Sequence, residues 1–341
     1  MIQDAFDGLQ AVLVIFLLIG TGVFVAWRKW LTPDVAKALP RLITNFALPC
    51  NIVSSFYNNF AAAQKTAGAS QSELVAPWIP LLIVFVVVPV TFIIGSVAAR
   101  IFRIPRERRG VFTVLFALSN SVFIGFPVAQ ALFGDAGMTY AVYYYMANTT
   151  CFWTLGYIMI RRDADFIRGE TSKIGVGEVL KKLATPSLIT ILVMFGVILS
   201  GIELPQFVLK FSQYGGALTT PLSLIFTGCM IYEAGLSGIK YEKGIGAVLA
   251  GRFLLTPALC FGACMLAIGW LSGGASQARL DEFTLMRNVL TVQIGLPVMT
   301  LSVIVSQRYG ADALYATRGV VWTTLASLIT IPLFVLLFQF I

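Results

Sequence analysis

Five residues occur twice in nearly the same form: Ile124-Gly125-Phe126-Pro127-Val128 and Ile294-Gly295-Leu296-Pro297-Val298, with the prolines 170 residues apart. Each copy lies within a long apolar run. A proline there has no amide proton to give to the preceding helical turn, and a glycine allows the backbone to leave helical geometry. A helix interrupted at such a point exposes peptide groups that hydrocarbon cannot satisfy, so each break must be buried in protein or line a watery cavity. Two interrupted apolar helices at matching places in two halves of a chain point to a solute-binding site at membrane depth.

Composition sets the solvent. With 341 residues, 58% of them hydrophobic and 12% charged, the chain is too apolar for a soluble domain of this size, and the expected class is an all-α polytopic membrane protein. The net charge of +8 does not indicate nucleic acid, because the basic residues are scattered through short loops. The first apolar run follows Asp4 and Asp7 rather than a basic segment, and is expected to stay as the first span. Cys50, Cys151, Cys229, Cys260 and Cys264 fall within apolar runs without metal-ligand spacing and read as packing residues. Histidine is absent, which argues against a metal centre and a serine-histidine hydrolase. No Walker, dinucleotide or zinc signature occurs. No cofactor is expected; sodium coupling stays open.

Ten runs approach the roughly 20 residues that a spanning helix requires: Gly8 to Trp27, Val35 to Phe56, Pro77 to Ala99, Gly110 to Gly134, Met138 to Ile160, Thr185 to Gly201, Phe207 to Glu233, Ile245 to Trp270, Asp281 to Gln307 and Ala313 to Ile341. With both termini outside, 20 of the 24 basic residues fall to the inner side, Arg252 among them, and only Lys65, Lys210, Arg279 and Arg287 lie outside. That asymmetry sets the expected orientation. Ten spans divide into two inverted halves of five. The prolines pair in order: Pro49 with Pro221, Pro89 with Pro257, and Pro127 with Pro297, at offsets of 172, 168 and 170 residues. One matching pentapeptide could arise by chance in so apolar a chain; three ordered pairs argue for an inverted repeat. The stretch from Arg161 to Ala184 reads as a polar tether between the halves, and Asn58 to Ser72 has room for a short surface helix.

The acidic residues sit in loops or near span ends, so no carboxylate is offered at mid-span for a proton relay. Glu233 and Arg318 read as interfacial charges. The polar groups expected at depth are neutral: Ser119, Asn120 and Ser121 at the first break, Thr291 and Gln293 before the second, Asn51 in span 2, and Asn148 and Thr149 in span 5. Such groups can hydrogen-bond a carboxylate while the positive end of a half-helix supplies attraction, which suits a small organic anion. The same groups and freed carbonyls could hold sodium, or could bond neighbouring helices.

At these residues the chain resembles a known family. Asn120-Ser-Val-Phe-Ile-Gly-Phe-Pro127, Ala47-Leu-Pro49, Asn148 ahead of Trp153-Thr-Leu, and the stretch from Leu296-Pro297 through Arg308-Tyr-Gly310 to Ser327-Leu-Ile-Thr-Ile-Pro332 are similar to the auxin efflux carrier family. That family includes plant PIN carriers and bacterial malate and malonate permeases. The resemblance implies a fold shared with bile-acid symporters and sodium/proton antiporters. Spans 1, 2, 6 and 7 would form a scaffold (1–76 and 185–243), and spans 3–5 and 8–10 a transport domain (77–160 and 244–341), joined by the linker 161–184. The broken spans 4 and 9 would cross at their prolines, with Asn120 and Asn148 lining the substrate site. It also implies a homodimer through the scaffold and a place in the bacterial cytoplasmic membrane. The long cytoplasmic loop of many plant carriers is missing here, and some of them carry glutamine at the position of Asn148, which favours a small carboxylate over an auxin.

The sequence thus reads as a carrier of small organic anions, with malate or malonate as the expected kind, working by alternating access. A sodium-coupled symporter of another carboxylate or an auxin-like amphipathic anion is the alternative, and an anion channel the rival from another class. An intramembrane enzyme lacks an acid or histidine at depth.

Overall fold

The computed structural model describes residues 2–31, 33–65, 78–171, 174–273 and 276–337. These are almost entirely helical. Helix α1 (Ile2–Trp27) is followed by α2 (Pro33–Leu42), which runs through a π-helical turn at Ile43–Ala47 into α3 (Leu48–Lys65). That helix covers the first part of the stretch expected to hold a surface helix; 66–72 lie outside the described residues. After α4 (Trp78–Ile101) an arginine-rich loop leads to α5 (Arg109–Ala117), which stops. A π turn at Ser121–Gly125 then opens α6 (Phe126–Cys151), and a second at Phe152–Gly156 connects to α7 (Tyr157–Arg168).

The chain continues through α8 (Val176–Leu183), α9 (Pro186–Ser200), α10 (Gln206–Ala217) and α11 (Thr219–Ile239). Next, α12 (Ile245–Ala250) passes by a π turn at Gly251–Leu255 into α13 (Thr256–Leu271). Last come α14 (Gln277–Ile294), α15 (Leu301–Tyr309) and α16 (Ala313–Leu337).

Three of the four π turns end two residues before a proline: Pro49, Pro127 and Pro257. A proline cannot donate to the carbonyl four residues back and its ring crowds that carbonyl. The preceding turn widens instead of breaking, and one member of each expected proline pair does this work.

Among the described residues, five helical stretches are long and apolar enough to cross a membrane: Trp78–Ile101, Ser121–Arg168, Gln206–Gly235, Ile245–Leu271 and Ala313–Phe334. The pair α8 and α9, bent by 70°, passes the same test only when the two are taken as one broken span. Ser121–Arg168, at 48 residues, would run about 70 Å if straight, more than twice a hydrocarbon core of about 30 Å. It is divided at Gly134, whose φ of 60° and ψ of −157° lie outside helical space. Among the described residues α1 is apolar over Val12–Trp27, and α14 and α15 are cut apart by the second break.

The packing is tightest between α1 and α11. A Cβ placed on Gly22 would stand 2.1 Å from the Ile225 carbonyl oxygen, and one on Gly228 2.0 Å from the Ile19 carbonyl oxygen. The two backbones touch, as small residues permit between membrane helices. Gly228→Ala must push them apart, because the atom struck is backbone. A loss of about 1–3 kcal/mol, towards the upper end, is expected, visible as a lower unfolding temperature in detergent. An unchanged midpoint would show that the helices can separate freely.

The stretch expected to act as a tether is itself docked. Its helix α8 docks on α7 and α15: the Tyr157 hydroxyl pairs with Glu178, and the Lys182 ammonium bonds the Tyr309 hydroxyl at 3.0 Å while lying 4.6 Å from the Tyr157 ring centre. Arg168 donates to the Tyr309 carbonyl at 2.9 Å.

A second tie gathers loops on the same end of the bundle as the arginine-rich segment. Arg108 bonds Glu242 at 2.5 Å and Asp312 at 3.0 Å, and Arg318 bonds the other Glu242 oxygen at 2.5 Å. Arg318, expected to reach for the interface, joins this cluster, where a partially buried carboxylate lies within reach. Burial alone would raise the Glu242 carboxyl, but the hydrogen bonds from the two arginines hold it below its ordinary range. Glu233 is exposed.

Candidate functional site

The two breaks meet. From Gly110 to Ala129 and from Val289 to Thr300 every residue is buried, and where the segments touch they form one antiparallel bridge, Ser119 opposite Val298. The Asn120 amide donates to the Pro297 carbonyl at 2.8 Å, and the Met299 amide to the Leu118 carbonyl at 3.2 Å. Two interrupted helices thus satisfy part of each other's freed backbone, the requirement that burial imposes.

The second break falls where the repeated motif lies: α14 ends at Ile294, and Gly295 is the first residue off the helix. The first does not. Helix α5 ends at Ala117, Leu118 is extended and Asn120 non-helical, whereas Gly125 has φ −63° and ψ −52° and Pro127 sits in the first turn of α6. The expected helix break at Gly125 and Pro127 is therefore displaced towards the N-terminus. Pro127 lies two residues beyond the π turn of a helix that already begins at the Asn120 cap, so its missing amide proton widens that turn and does not end the helix. Gly125 is required by close approach: a Cβ there would lie 2.4 Å from Gln293 Oε1. Gln293 Nε2 donates to the Gly125 carbonyl at 2.8 Å.

The last carbonyls of α5 and those beyond it all have partners. Phe116 O accepts from Arg252 Nη1 at 3.2 Å, Ala117 O from the Thr91 hydroxyl at 3.3 Å, Leu118 O from Met299, and Ser119 O from Asn148 Nδ2 at 2.9 Å. Asn148 also accepts from the Ser119 amide at 3.2 Å and donates to the Ser121 hydroxyl at 3.2 Å. Its carboxamide bonds both the N–H and the C=O of Ser119, replacing the peptide neighbours that a helix would have supplied. Tyr144 completes this side, accepting from the Ser119 hydroxyl at 2.8 Å and donating to Asn148 Oδ1 at 3.2 Å. Asn120 begins the next segment: its Oδ1 accepts from the Phe123 amide at 3.1 Å, a helix cap, and its Nδ2 reaches Thr300 Oγ1 at 2.9 Å.

Sequence reasoning missed the residue at the centre. Arg252, assigned to an inner loop, is fully buried. Besides Phe116 O, its guanidinium bonds Leu296 O from Nε and from Nη2, both at 3.2 Å, and Ile294 O from Nη2. One cation therefore bridges the C-terminal ends of α5 and α14, where helix dipoles are negative. The expectation that only neutral polar groups lie at this depth is corrected: the negative ends of two half-helices make a buried guanidinium tolerable. Its signal was a lone cation seven residues into the run beginning at Ile245, since intramembrane charges are expensive. Thr300, Tyr144 and Thr323, whose hydroxyl accepts from the Val298 amide at 3.1 Å, were also not singled out.

The structure thus brings together Ser119, Asn120, Ser121, Asn148 and Gln293. Thr291 is buried one turn before the second break, on the same helix as Gln293. Two groups here lack hydrogen-bond partners, the Thr291 hydroxyl and Gln293 Oε1. Asn51 stands apart: its Nδ2 meets the Gly216 carbonyl at 3.5 Å and its Oδ1 the Ser55 hydroxyl at 3.4 Å, bonding α3 to α10. Thr149 is buried beside the Tyr145 hydroxyl, off the bridge. The five cysteines are buried and unbonded to one another.

Comparison with known proteins identifies the class of protein. A family model described as membrane transport protein matches residues 7–335. An uncharacterized transporter of Methanocaldococcus jannaschii is 26% identical over 332 residues, covering 95% of this chain and 97% of that protein. An uncharacterized transporter of Methanothermobacter thermautotrophicus is 27% identical over 157 residues, 44% of this chain and 46% of that protein. The chain belongs to the membrane transport protein family, whose members are auxin efflux carrier-like integral membrane proteins.

Proposed function

We propose that the protein is a secondary transporter of small organic anions, a dicarboxylate such as malate or malonate being the favoured class. The observation that carries this reading is the junction of two buried helix breaks with Arg252 across their carbonyl ends. That guanidinium offsets the negative poles of α5 and α14. The positive poles, at the start of the Asn120-capped segment and of α15, are then left without a matching side-chain charge, a field that favours an anion. The unpartnered Thr291 hydroxyl retains a donor for it. The carbonyls of Phe116, Ala117, Leu118, Ser119, Ile294, Leu296 and Pro297 are already engaged, which favours exchange or uniport over sodium coupling.

In this reading the broken helices count as spans, giving ten in two inverted halves with both termini outside. The transport domain (77–160 and 244–341) moves against the scaffold (1–76 and 185–243), which also supplies a homodimer surface. Counterflow into proteoliposomes preloaded with malate, malonate, succinate, citrate or indole-3-acetate tests it. Saturable exchange of one dicarboxylate, unchanged when sodium is replaced by potassium, is the expected result. Unitary currents without counterflow would replace the carrier by a channel, and exchange only with a sodium gradient would overturn the uncoupled mechanism.

A further inference from the structure

Away from the crossing, a cavity of about 270 Å³ opens between the end of α4, the arginine-rich loop and the end of α7. Arg100, Arg106, Arg109 and Arg162 line it, with Ser96 and Asp163. None of the four guanidinium groups lies within ion-pair distance of a carboxylate among the described residues. The one acid present, Asp163, is buried and spends Oδ2 on the Val111 amide at 2.7 Å, although Arg106 is near enough to act on its charge. Arg109 is held by its Nε on the Ile104 carbonyl at 2.8 Å, and Arg106 lies 5.2 Å from the Phe166 ring centre. Arg109 is thus fixed in place by a group that does not neutralise it, and one buried carboxylate faces four guanidinium groups. Neighbouring arginines elsewhere on this end, Arg108, Arg161, Arg168 and Arg318, all have carboxylate partners.

The rim adds a second chemistry. Ile93, Val97 and Ile101 follow one another at four-residue spacing on α4 and are 64%, 46% and 70% exposed, and Phe102 continues the stripe at 49%. Such spacing forms one face of a helix, immediately beside the face that carries Ser96 and Arg100. An apolar strip running down to a net-positive cluster of arginines matches a molecule with hydrocarbon tails and an anionic head.

We infer that this cavity binds a phosphate group, supplied by the headgroup of an anionic phospholipid whose acyl chains lie along the Ile93–Ile101 stripe. Guanidinium groups suit phosphate oxygens because they present paired donors, and basic pockets among helices near the membrane surface take anionic heads. The inference is independent of the transported substrate.

The unfolding temperature of the purified full chain in detergent, titrated with dioleoylphosphatidylglycerol, dioleoylphosphatidylcholine or sodium phosphate, tests it. Phosphatidylglycerol is expected to stabilise at lower concentration than phosphatidylcholine. The double variant Arg100→Gln/Arg162→Gln should weaken that effect by on the order of tenfold or more, at about 1 kcal/mol for each charge. Arg103→Gln/Arg308→Gln, which removes equal charge outside the cavity, should leave it unchanged. Stabilisation by inorganic phosphate, lost in the first variant, with no preference between the lipids would keep the site and assign it to free phosphate. Equal losses in both variants, or no response to either anionic probe, would overturn it.

Discussion

Arg252→Met is expected to destabilise the protein by roughly 3–5 kcal/mol and to abolish exchange, the largest effect of any single substitution at the crossing. The guanidinium is fully buried and donates to three carbonyls on two segments. Removing it leaves those carbonyls without a donor at roughly 1–3 kcal/mol each, partly recovered by relaxation and by no longer burying a charge. Arg252→Lys separates charge from geometry. An ammonium keeps the cation at the two helix ends but cannot span both segments as a planar fork does, so intermediate stability with impaired exchange is expected. Thermal unfolding in detergent, read beside counterflow, checks both variants. Methionine behaving as wild type in the two assays would mean that other contacts hold the breaks together.

The fate of this arginine shows where sequence reading stopped. The second break was legible because Gly295 and Pro297 lie in it. The first was misplaced because a proline that only widens a helical turn and one that ends a helix look alike in sequence; Asn120, seven residues earlier, was the better marker, since capping asparagines begin helices. Arg252 was assigned to a loop by taking positive charge as an orientation signal throughout, although a cation that deep in an apolar run asks for a buried partner. Its partners are main-chain carbonyls some 42 to 136 positions away in sequence, which leave no mark in residue types. The same holds for the linker, whose docking depends on Lys182 meeting Tyr157 and Tyr309, and for Gly22 and Gly228, whose contact requires knowing that α1 lies against α11. Family membership was legible because its motifs are contiguous stretches of sequence, two of them at or beside the breaks.

Asn120→Asp should separate folding from transport at the proposed anion site. The Asn120 side chain accepts from the Phe123 amide and donates to Thr300. Aspartate keeps the first bond, and caps as well as asparagine does. The positive pole of the following helix helps keep it ionised, and the Thr300 hydroxyl can turn to donate instead. Stability should therefore change little. An anion at the same pole would face a like charge: at about 4 Å and an effective dielectric near 20, the repulsion is about 4 kcal/mol. Even after relaxation, exchange should fall on the order of 100-fold or more. Asn120→Ser, a neutral residue that also caps, should retain much of it, whereas Asn120→Ala should lose about 1 kcal/mol of stability with the cap. If Asn120→Asp folds and exchanges dicarboxylates at the wild-type rate, the anion does not bind at this pole, and the neighbourhood of Thr291 and Gln293 becomes the place to look.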